Sequence, residues 1–253
     1  MKVGLIGFGK TGKAVAATVL RNKELILEWV VRRSKLLDHR SIPEFLGEPS
    51  DEPGLIYSSS LTTISELLDE HPVDIIIDFS SETGLDYYGN EAAKRKVKII
   101  SAVSHYSEET IQRLKKYAEK TAVLWSPNIT LGVNYLMIAA RYLKKIAPNT
   151  DMVILEEHFK DKSGVSGTAK IIANNLDIEH QEIKSVRAGG IIGKHEIICG
   201  FPFQTVRLIH ESITREAFGN GAIFVAQNLI GKEKGFYTFE DLLMPYFAEQ
   251  KNS

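Results

Sequence analysis

The first half of the chain alternates between short apolar runs and segments with the spacing of amphipathic helices. Residues 2–6 form an apolar run that ends in glycines, which is typical of a buried parallel strand. Residues 11–21 place apolar side chains on one helical face, and residues 25–31 form a second run, so these segments make a βαβ unit. Similar patterns predict strands at 55–57, 74–79, 98–102 and 122–125, with helices at 64–68, 85–94 and 108–119. This alternation predicts an α/β domain with an open, doubly wound parallel sheet.

The pattern changes after residue 128. A helix is predicted at 132–145, and strands follow with little helix between the last three. These strands are predicted at 152–155, 183–187, 197–200 and 205–210, before a final helical segment at 214–229. We therefore expect a second α+β domain with a mixed or antiparallel sheet. The predicted domains are residues 1–127 plus 216–253 and residues 128–215.

Composition and charge narrow the class of protein. The chain has 253 residues, of which 43% are hydrophobic and 25% charged, as in ordinary globular proteins. Its 31 basic and 32 acidic residues give no basic excess for nucleic acid or an acidic membrane. A single cysteine, Cys199, cannot form an internal disulfide and suggests no metal cluster. No signal peptide or membrane span is recognisable, so a cytoplasmic location is expected.

A glycine-rich motif follows the first predicted strand and precedes the first predicted helix. It fits G-x-G-x-x-G, in which the first glycine permits the tight turn and the second lets the backbone approach a pyrophosphate. The third allows close packing of helix on strand, and the helix N-terminus faces the anion. The alternative is a glycine-rich turn without a ligand. The residues predicted to bind the cofactor here are Gly7, Phe8, Gly9, Lys10, Thr11 and Gly12.

Two arginines end the second predicted strand, where dinucleotide-binding domains read the adenosine ribose. An acidic residue there favours NAD, whereas a basic one accommodates the 2′-phosphate of NADP. Arg32 and Arg33 could clamp a phosphate, with Ser34 as a further donor, and no carboxylate follows directly. We expect NADPH to be favoured, with NADH possible. The alternative is a solvated basic turn.

Asp78 ends the predicted strand at 74–79, and two roles are open for it. The carboxyl end of that strand should lie at the ligand crevice. Asp78 is equally compatible with a role as a buried structural carboxylate.

The segment 156–168 combines a histidine, a lysine and the start of a helix. His158 and Lys162 lie four residues apart in a predicted loop, and Ser166, Gly167 and Thr168 begin the next helical segment. A serine or threonine there can cap the helix, and its amides can bind a carboxylate. Cationic and hydroxyl groups at a helix start make an anion site with a proton donor. The alternative is a surface loop with a helix cap.

The chain resembles the 4-hydroxy-tetrahydrodipicolinate reductase family in several segments that occur in the family's order. The family signature E-x-H-H-x-x-K-x-D-A-P-S-G-T-A has its counterpart in E-E-H-F-K-D-K-S-G-V-S-G-T-A at 156–169. Family-like segments also include IDFS, SPNITLGVN, RAGGIIGKHEI, IHESITREAFGNGA and GFYTFEDLL. Together with the N-terminal glycine motif, these segments cover essentially the whole chain.

The resemblance implies a Rossmann-type first domain, an NAD(P)H-dependent reduction in lysine and diaminopimelate biosynthesis, and a homotetramer. The implied substrate is a cyclic imine-type dicarboxylate bound in the second domain. His158 and Lys162 are implied as catalytic residues, with Lys162 as the proton donor and His158 positioning and polarising the substrate. Further implied cofactor contacts are Phe79, Ser101, Ala102, Val103, Ser126 and Asn128. Implied substrate contacts are Phe159, Ser166, Gly167, Thr168 and Arg215.

Three departures from the family pattern affect the site. Phe159 replaces the second histidine of the family pair, and 162–166 reads K-S-G-V-S, one residue shorter and without Asp or Pro. Residues 101–104 read S-A-V-S where the family has G-T-T-G. Phe159 either replaces a polar substrate contact or packs in the core.

Two alternatives to the reductase function stay open: a related NAD(P)-dependent dehydrogenase acting on another imine or amino acid, and a non-catalytic NAD(P) sensor. His195 and His210 are expected to be structural hydrogen-bonding residues.

Overall fold

The computed structural model describes residues 1–52 and 54–248, and the chain divides into two units. Unit 1 comprises Met1–Ile129 and the chain from Phe218 onwards, and unit 2 comprises Thr130–Ala217. The predicted domains were 1–127 plus 216–253 and 128–215, and residues 249–253 of that prediction lie outside the described part.

Unit 1 contains a seven-stranded parallel sheet. Its strands are β1 (Lys2–Ile6), β2 (Ile26–Arg32), β3 (Leu55–Ser58), β4 (Ile75–Asp78), β5 (Lys98–Ser101), β6 (Ala122–Trp125) and β11 (Gly235–Tyr237). They pair in the order β11-β6-β5-β4-β1-β2-β3, and every pair is parallel. Because the order reverses beside β1, the sheet is doubly wound, which confirms the predicted Rossmann-type class.

The helices of unit 1 connect and cover these strands. They are α1 (Lys10–Leu20), α2 (Ile42–Leu46), α3 (Ile64–Glu70), α4 (Leu85–Lys94), α5 (Glu108–Ala118), α8 (Glu216–Leu229) and α9 (Phe239–Ala248). Helices α2 and α9 and strand β11 were not predicted from the sequence, because they are short or lack a clear apolar period. Three successive isoleucines of β4, Ile75, Ile76 and Ile77, are fully buried. Both faces of the sheet are therefore covered, as parallel sheets require.

Unit 2 contains a mixed four-stranded sheet with two helices. The strands are β7 (Asp151–His158), β8 (Lys184–Arg187), β9 (Lys194–Phe201) and β10 (Gln204–Glu211), and the helices are α6 (Leu131–Ile146) and α7 (Gly167–Asn175). The strand order is β10-β9-β7-β8, in which β7 and β8 are parallel and the other pairs antiparallel. The predicted mixed α+β architecture is confirmed.

The apolar core of unit 2 lies on one face of this sheet. Val133 and Leu136 of α6 and Ile172 of α7 pack in one cluster with Ile154 and Ile197 of the sheet. Alternate residues of a strand share a face, so Glu156 and His158 continue the face that begins with Ile154. The strand register also places Glu156 opposite both His195 of β9 and Ser185 of β8. Polar groups therefore meet at one end of the core-facing side.

Within residues 1–52 and 54–248, none of the helices has the length and apolar character needed to span a lipid bilayer.

Candidate active site

The turn between β1 and α1 forms a cradle whose shape depends on glycines. Gly7 has φ +99° and donates its N–H to the carbonyl of Val31 at 2.8 Å. A Cβ on Gly7 would lie 2.7 Å from the carbonyl oxygen of Phe79, and a Cβ on Gly12 would overlap the carbonyl oxygen of Gly7. A Cβ on Gly9, by contrast, would meet no protein atom within 4 Å. The turn is thus fixed by close packing at two glycines and open at the third, as a pyrophosphate cradle requires.

A cavity of about 700 Å³ lies at this turn. It extends along the carboxyl ends of the central strands, which is where doubly wound sheets bind ligands. Its lining includes Gly7, Gly9, Arg32, Arg33, Ser34 and Ser59. The size and the lining fit a nucleotide cofactor.

The basic turn after β2 is held by its backbone and leaves its cations available. The carbonyl of Arg33 accepts hydrogen bonds from the hydroxyls of Ser58 at 3.2 Å and Ser60 at 3.1 Å. The Ser34 hydroxyl accepts from the Leu36 N–H at 3.3 Å and caps a short 3₁₀ helix. Among the described residues, no hydrogen bond or ion pair engages the guanidinium of Arg32 or Arg33. Both groups can therefore bind an anion.

Asp78 is a buried structural carboxylate. It is fully buried at the end of β4 and accepts hydrogen bonds from the Ser80 N–H at 2.8 Å, the Ser80 hydroxyl at 2.6 Å and the Tyr88 hydroxyl at 3.0 Å. Burial raises the pKa of Asp78, although these hydrogen bonds oppose the shift. Of the two roles left open by the sequence, the structural role is the one observed.

The remaining predicted cofactor residues lie at the ends of β4, β5 and β6 or on the first turn of α1. Ser101 is fully buried, and its hydroxyl is 2.8 Å from that of Tyr106. The Val103 carbonyl accepts from the Trp125 indole at 2.8 Å, and the Ser126 hydroxyl donates to the Asn128 carbonyl at 2.6 Å. The side chains of Ser101 and Ser126 are thus committed to holding the loops, so any cofactor contact there falls to the backbone. Phe79 and Ala102 are half-buried beside them, Phe8 is buried, Lys10 is exposed and Thr11 is half-buried.

Unit 2 contains a buried polar group around Glu156, which we call the Glu156 cluster: Glu156, His158, Ser166, Ser185, Arg187 and His195. Glu156 is fully buried at the inner face of β7. Its Oε1 accepts from Arg187 Nη2 at 2.6 Å and from the Ser185 hydroxyl at 2.6 Å. Its Oε2 accepts from Arg187 Nη1 at 3.0 Å and lies 2.5 Å from His158 Nδ1. Arg187 therefore binds the carboxylate in a bidentate manner, which is the strong geometry for such a pair.

The charge state of Glu156 follows from these partners. Burial opposes ionisation, but the hydrogen bonds from Arg187, Ser185 and His158 outweigh it and hold the pKa of Glu156 at about 2. Glu156 is therefore ionised at neutral pH. Its charge is balanced inside the cluster by Arg187, as a buried carboxylate requires.

Two neutral histidines adjoin this carboxylate. Burial lowers the pKa of His158, and Lys162 and Arg187 lower it further, while Glu156 acts in the opposite direction. Burial also lowers the pKa of His195 to about 3, with His158 as the next contribution. The two rings meet edge to face, with centroids 5.3 Å apart. His158 Nδ1 lies against Glu156, and His195 Nε2 lies 3.0 Å from the Ser166 hydroxyl. His195 Nδ1 is buried, and no hydrogen-bond partner is found for it among the described residues.

Comparisons with known proteins decide the family. A model described as "Dihydrodipicolinate reductase, N-terminus" matches residues 1–129, and one described as "Dihydrodipicolinate reductase, C-terminus" matches residues 132–243. The chain belongs to the dihydrodipicolinate reductase family. It is therefore a nicotinamide-dependent oxidoreductase with a Rossmann-type cofactor domain, and the family resemblance seen in the sequence is confirmed.

Individual relatives agree with this assignment. The 4-hydroxy-tetrahydrodipicolinate reductase of Caldanaerobacter subterraneus is 30% identical over 93% of this chain and 94% of the relative. That of Thermosipho africanus is 31% identical over 72% of this chain and 84% of the relative. A solved structure of dipicolinate-bound dihydrodipicolinate reductase from Paenisporosarcina shares the fold with a TM-score of 0.79 at 21% identity, covering 95% of this chain and 98% of that one.

The predicted substrate residues differ in their burial and in their contacts with the Glu156 cluster. Lys162 is half-buried, and its charge acts on both His158 and His195. Ser166 is 2% exposed and caps α7 by accepting the Ala169 N–H at 3.3 Å. Gly167 is exposed at the first position of α7, and Thr168 follows it half-buried. Arg215 is exposed just before α8, and no contact that we observe joins it to the cluster.

Phe159 lies on the surface, directly after β7. Its side chain is 42% exposed, so of the two alternatives left open by the sequence, packing in the core is not the one observed. The alternation of β7 accounts for this position, because His158 points to the inner face and the next residue leaves the strand. A contact between Phe159 and substrate stays a prediction.

Glu156, Ser185 and Arg187 were not predicted from the sequence as site residues. His158 was predicted to lie in a loop, but β7 continues past the predicted strand at 152–155 and ends at His158. One signal was present: Glu156 and His158 are two residues apart, so a strand that continues through both puts them on the same face. Arg187 lies 31 residues from Glu156 in sequence. It joins the cluster only through the parallel register of β7 and β8, which no local pattern specifies.

Proposed function

We propose that this chain reduces 4-hydroxy-tetrahydrodipicolinate to tetrahydrodipicolinate with NAD(P)H, in lysine and diaminopimelate biosynthesis. The observation that carries the proposal is the match of both reductase family models, which together span nearly the whole chain. Relatives that carry this name align along most of their length. The glycine cradle of unit 1 and the Glu156 cluster of unit 2 supply the two kinds of site that such a reaction needs.

The residue roles follow from the charge that develops during reduction. Bound NAD(P)H supplies the hydride to the conjugated carbon of the substrate after water is lost. Negative charge then develops toward the ring nitrogen, and a nearby acid lowers that barrier. Lys162 is our proposed donor, since no carboxylate among the described residues pairs with its ammonium group. His158 is proposed to orient the reacting groups beside it.

Recognition of the dicarboxylate is assigned to the start of α7. Helix N-termini bind anions through their backbone N–H groups, so we place one carboxylate at Gly167 and Thr168. Ser166 was predicted to contact the same carboxylate. Because it is buried and bonded to His195, we assign it the supporting task of fixing the helix start. The dipicolinate bound to the Paenisporosarcina relative belongs to the same class of planar dicarboxylates. Phe159 and Arg215 remain proposed contacts at the edge of this site.

We further propose a preference for NADPH over NADH. Arg32 and Arg33 line the cofactor cavity, and no carboxylate occupies the end of β2. An Arg pair suits the 2′-phosphate because guanidinium groups bind phosphate in a bidentate manner. An acidic residue at this position would instead have favoured the free ribose hydroxyl of NADH.

A homotetramer in the cytoplasm is proposed for the assembled enzyme. The four-stranded sheet of unit 2 packs α6 and α7 on one face. Its other face carries apolar side chains at Val153 (41% exposed), Val186 (40%) and Ile209 (55%). Exposed apolar patches of this kind are typical of protein interfaces. Sedimentation equilibrium tests the oligomeric state, and a monomer at micromolar concentration would contradict it.

A coupled assay tests the proposed activity. The substrate is generated in place by a dihydrodipicolinate synthase from pyruvate and aspartate semialdehyde, and NADPH and NADH oxidation are followed separately. We expect oxidation that depends on the synthase and is faster with NADPH. Phe159 and the S-A-V-S segment at 101–104 favour a second candidate, a related dehydrogenase for another imine or amino acid. Oxidation with that substrate class alone would support the second candidate.

A further inference from the structure

We propose that Glu156 is a positioning residue that holds His158 in one tautomer, with the proton on Nδ1 and a lone pair on Nε2. The catalytic consequence rests on the proposed reductase function. The tautomer itself depends only on contacts within unit 2. Arg187 and Ser185 act one step further out, because they hold the carboxylate that holds the ring.

The first step is the donor set of the Glu156 carboxylate. Both oxygens are occupied by Arg187, and Oε1 also accepts from the Ser185 hydroxyl and from the Ser166 N–H at 3.4 Å. A carboxylate with these partners is ionised, and an ionised carboxylate only accepts hydrogen bonds. The 2.5 Å contact between Oε2 and His158 Nδ1 therefore requires a proton on Nδ1.

The second step concerns the other ring nitrogen. Among the described residues, no hydrogen bond engages His158 Nε2. The residue that faces it is Gly193, where an added Cβ would come within 3.1 Å of Nε2. The absence of a side chain at Gly193 thus leaves room at this nitrogen. A ring that donates from Nδ1 and is neutral presents Nε2 as an acceptor.

The third step is the charge around the ring. The groups that face His158 are Glu156 on its own strand, Lys162 on the following loop, Arg187 on β8 and His195 on β9. Lys162 and Arg187 disfavour a proton on Nε2, and burial acts in the same direction. Of the groups named here, only Glu156 favours the protonated ring. The free enzyme therefore holds a neutral His158 at neutral pH.

This assignment changes the role expected for His158 from the sequence. A lone pair on Nε2 cannot donate a hydrogen bond to the substrate. It can accept one from the Lys162 ammonium or from an N–H or O–H of the substrate. His158 then aligns the proton donor, while Glu156 prevents the ring from turning its proton toward the ligand.

Nitrogen NMR on the full-length wild-type protein tests the tautomer directly. The protein is labelled with ¹⁵N-histidine, and the His158 ring is assigned by its disappearance in His158→Asn. At neutral pH we expect a protonated, pyrrole-type Nδ1 and an unprotonated, pyridine-type Nε2. A proton on Nε2, or two nitrogens with averaged shifts, would overturn the proposal whatever the enzyme's activity.

A pair of matched variants tests the positioning role. Glu156→Gln removes the inner carboxylate, and Glu157→Gln makes the same change at the next residue, whose carboxylate pairs with Lys194 on the opposite face at 2.7 Å. We expect Glu156→Gln to lose the single tautomer and roughly tenfold or more in kcat. In this variant the acid limb of the pH profile of kcat/KM should also move to lower pH, since the anion that favours protonation of the His158 ring is gone. Glu157→Gln should change none of these.

The two hypotheses fail separately. A wild-type protein with the predicted tautomer but no NAD(P)H oxidation in the coupled assay would overturn the proposed function alone. An active enzyme in which Glu156→Gln leaves the tautomer, kcat and the acid limb unchanged would overturn the positioning role alone. If Glu156→Gln does not fold, the wild-type NMR measurement still decides.

Discussion

The cofactor cavity of unit 1 and the Glu156 cluster of unit 2 differ in the groups that shape them. In unit 1, the turn at Gly7 and Gly12 is shaped by backbone packing. The guanidinium groups of Arg32 and Arg33 make no hydrogen bond or ion pair with any residue that the structure describes. In unit 2, polar side chains of β7 and β8 pair with one another around the buried Glu156. A backbone-built site tolerates changes in side chains but not in glycines. A site built from paired side chains depends on every partner, because losing one leaves a buried group unsatisfied.

The largest expected effect is a loss of turnover when Lys162 in unit 2 is replaced, without a loss of cofactor binding in unit 1. Lys162→Ala should reduce kcat on the order of 10²-fold or more if Lys162 donates the proton. NAD(P)H binding, measured by fluorescence titration, should stay nearly unchanged because the cofactor cavity is in the other unit. Lys160→Ala, two residues earlier and exposed, is the control and should leave kcat intact. Near-wild-type turnover in Lys162→Ala would remove the proposed role.

Lowering the pH should have opposite effects on the stability of the two units. The pKa of His195 is lowered from 6.5 to about 3, so the unfolded chain binds its proton first and stability falls as the pH drops below 6.5. By about pH 4.5 this amounts to on the order of 3 kcal/mol for His195. Glu156, lowered from 4.5 to about 2, adds a loss below pH 4.5. Asp78 in unit 1 has a raised pKa and therefore gains relative stability as its carboxyl group is protonated.

Hydrogen exchange resolved by peptide measures this difference. Amide protection in unit 2 should fall before that in unit 1 between pH 7 and about pH 4.5. His195→Asn removes the titrating ring and should reduce the acid sensitivity of unit 2. Equal loss of protection in both units, unaffected by this variant, would contradict the account.

Two glycine variants test the backbone-built site. Gly12→Ala places a methyl group on the Gly7 carbonyl, so we expect a loss of stability of roughly 1–3 kcal/mol together with weaker cofactor binding. Gly9→Ala meets no protein atom within 4 Å. This variant should leave the melting temperature unchanged and weaken only the binding of the cofactor. Unchanged cofactor affinity in Gly9→Ala would show that the open side of the turn is not where the pyrophosphate lies.

Replacing both arginines at the end of β2 tests the cofactor preference. Arg32→Ala with Arg33→Ala should weaken the binding of NADPH by about ten- to a hundredfold, since a charge-assisted contact contributes roughly 1.5–3 kcal/mol. The affinity for NADH should change little, and this serves as the internal control. Equal losses for both cofactors would mean that these arginines do not read the 2′-phosphate.

The smallest expected effect concerns Phe159. Phe159→His should tighten binding of dipicolinate by about 0.5–1.5 kcal/mol, since a histidine can donate to a carboxylate and a phenyl ring cannot. The melting temperature should not fall, because Phe159 is exposed. Phe203→His, at a fully exposed phenylalanine in the same unit, is the control and should not alter the inhibitor constant. An unchanged inhibitor constant in Phe159→His would place Phe159 outside the substrate site.

The site in unit 1 was largely predictable because its signal is local. Gly7, Gly9 and Gly12 fall within six residues, between a strand and a helix whose patterns are clear. The same holds for the arginines that end β2. The structure adds what the motif cannot state, namely that Gly12 packs on the Gly7 carbonyl while Gly9 stays open.

The Glu156 cluster was only partly predictable because its contacts are distant in sequence. His158 and Lys162 stood out by residue type, and the helix cap at Ser166 by its position. The partners Ser185 and Arg187 are brought in by strand pairing, which hydrophobic patterns do not specify. The sequence could therefore predict that residues 156–168 contain candidate functional residues, whereas the pairing of Glu156 with Arg187 and the charge state of Glu156 required coordinates.

Hydride transfer to the substrate is the most direct test of the proposed function. Wild-type protein is given synthase-generated substrate and NADPH in which both hydrogens at the nicotinamide C4 position are deuterium, and the product is analysed by NMR and mass spectrometry. The account predicts tetrahydrodipicolinate that carries one deuterium at the reduced ring carbon, with far slower label transfer by Lys162→Ala. A product without deuterium, or cofactor oxidation that does not need the synthase, would contradict the assignment as a reductase of this substrate.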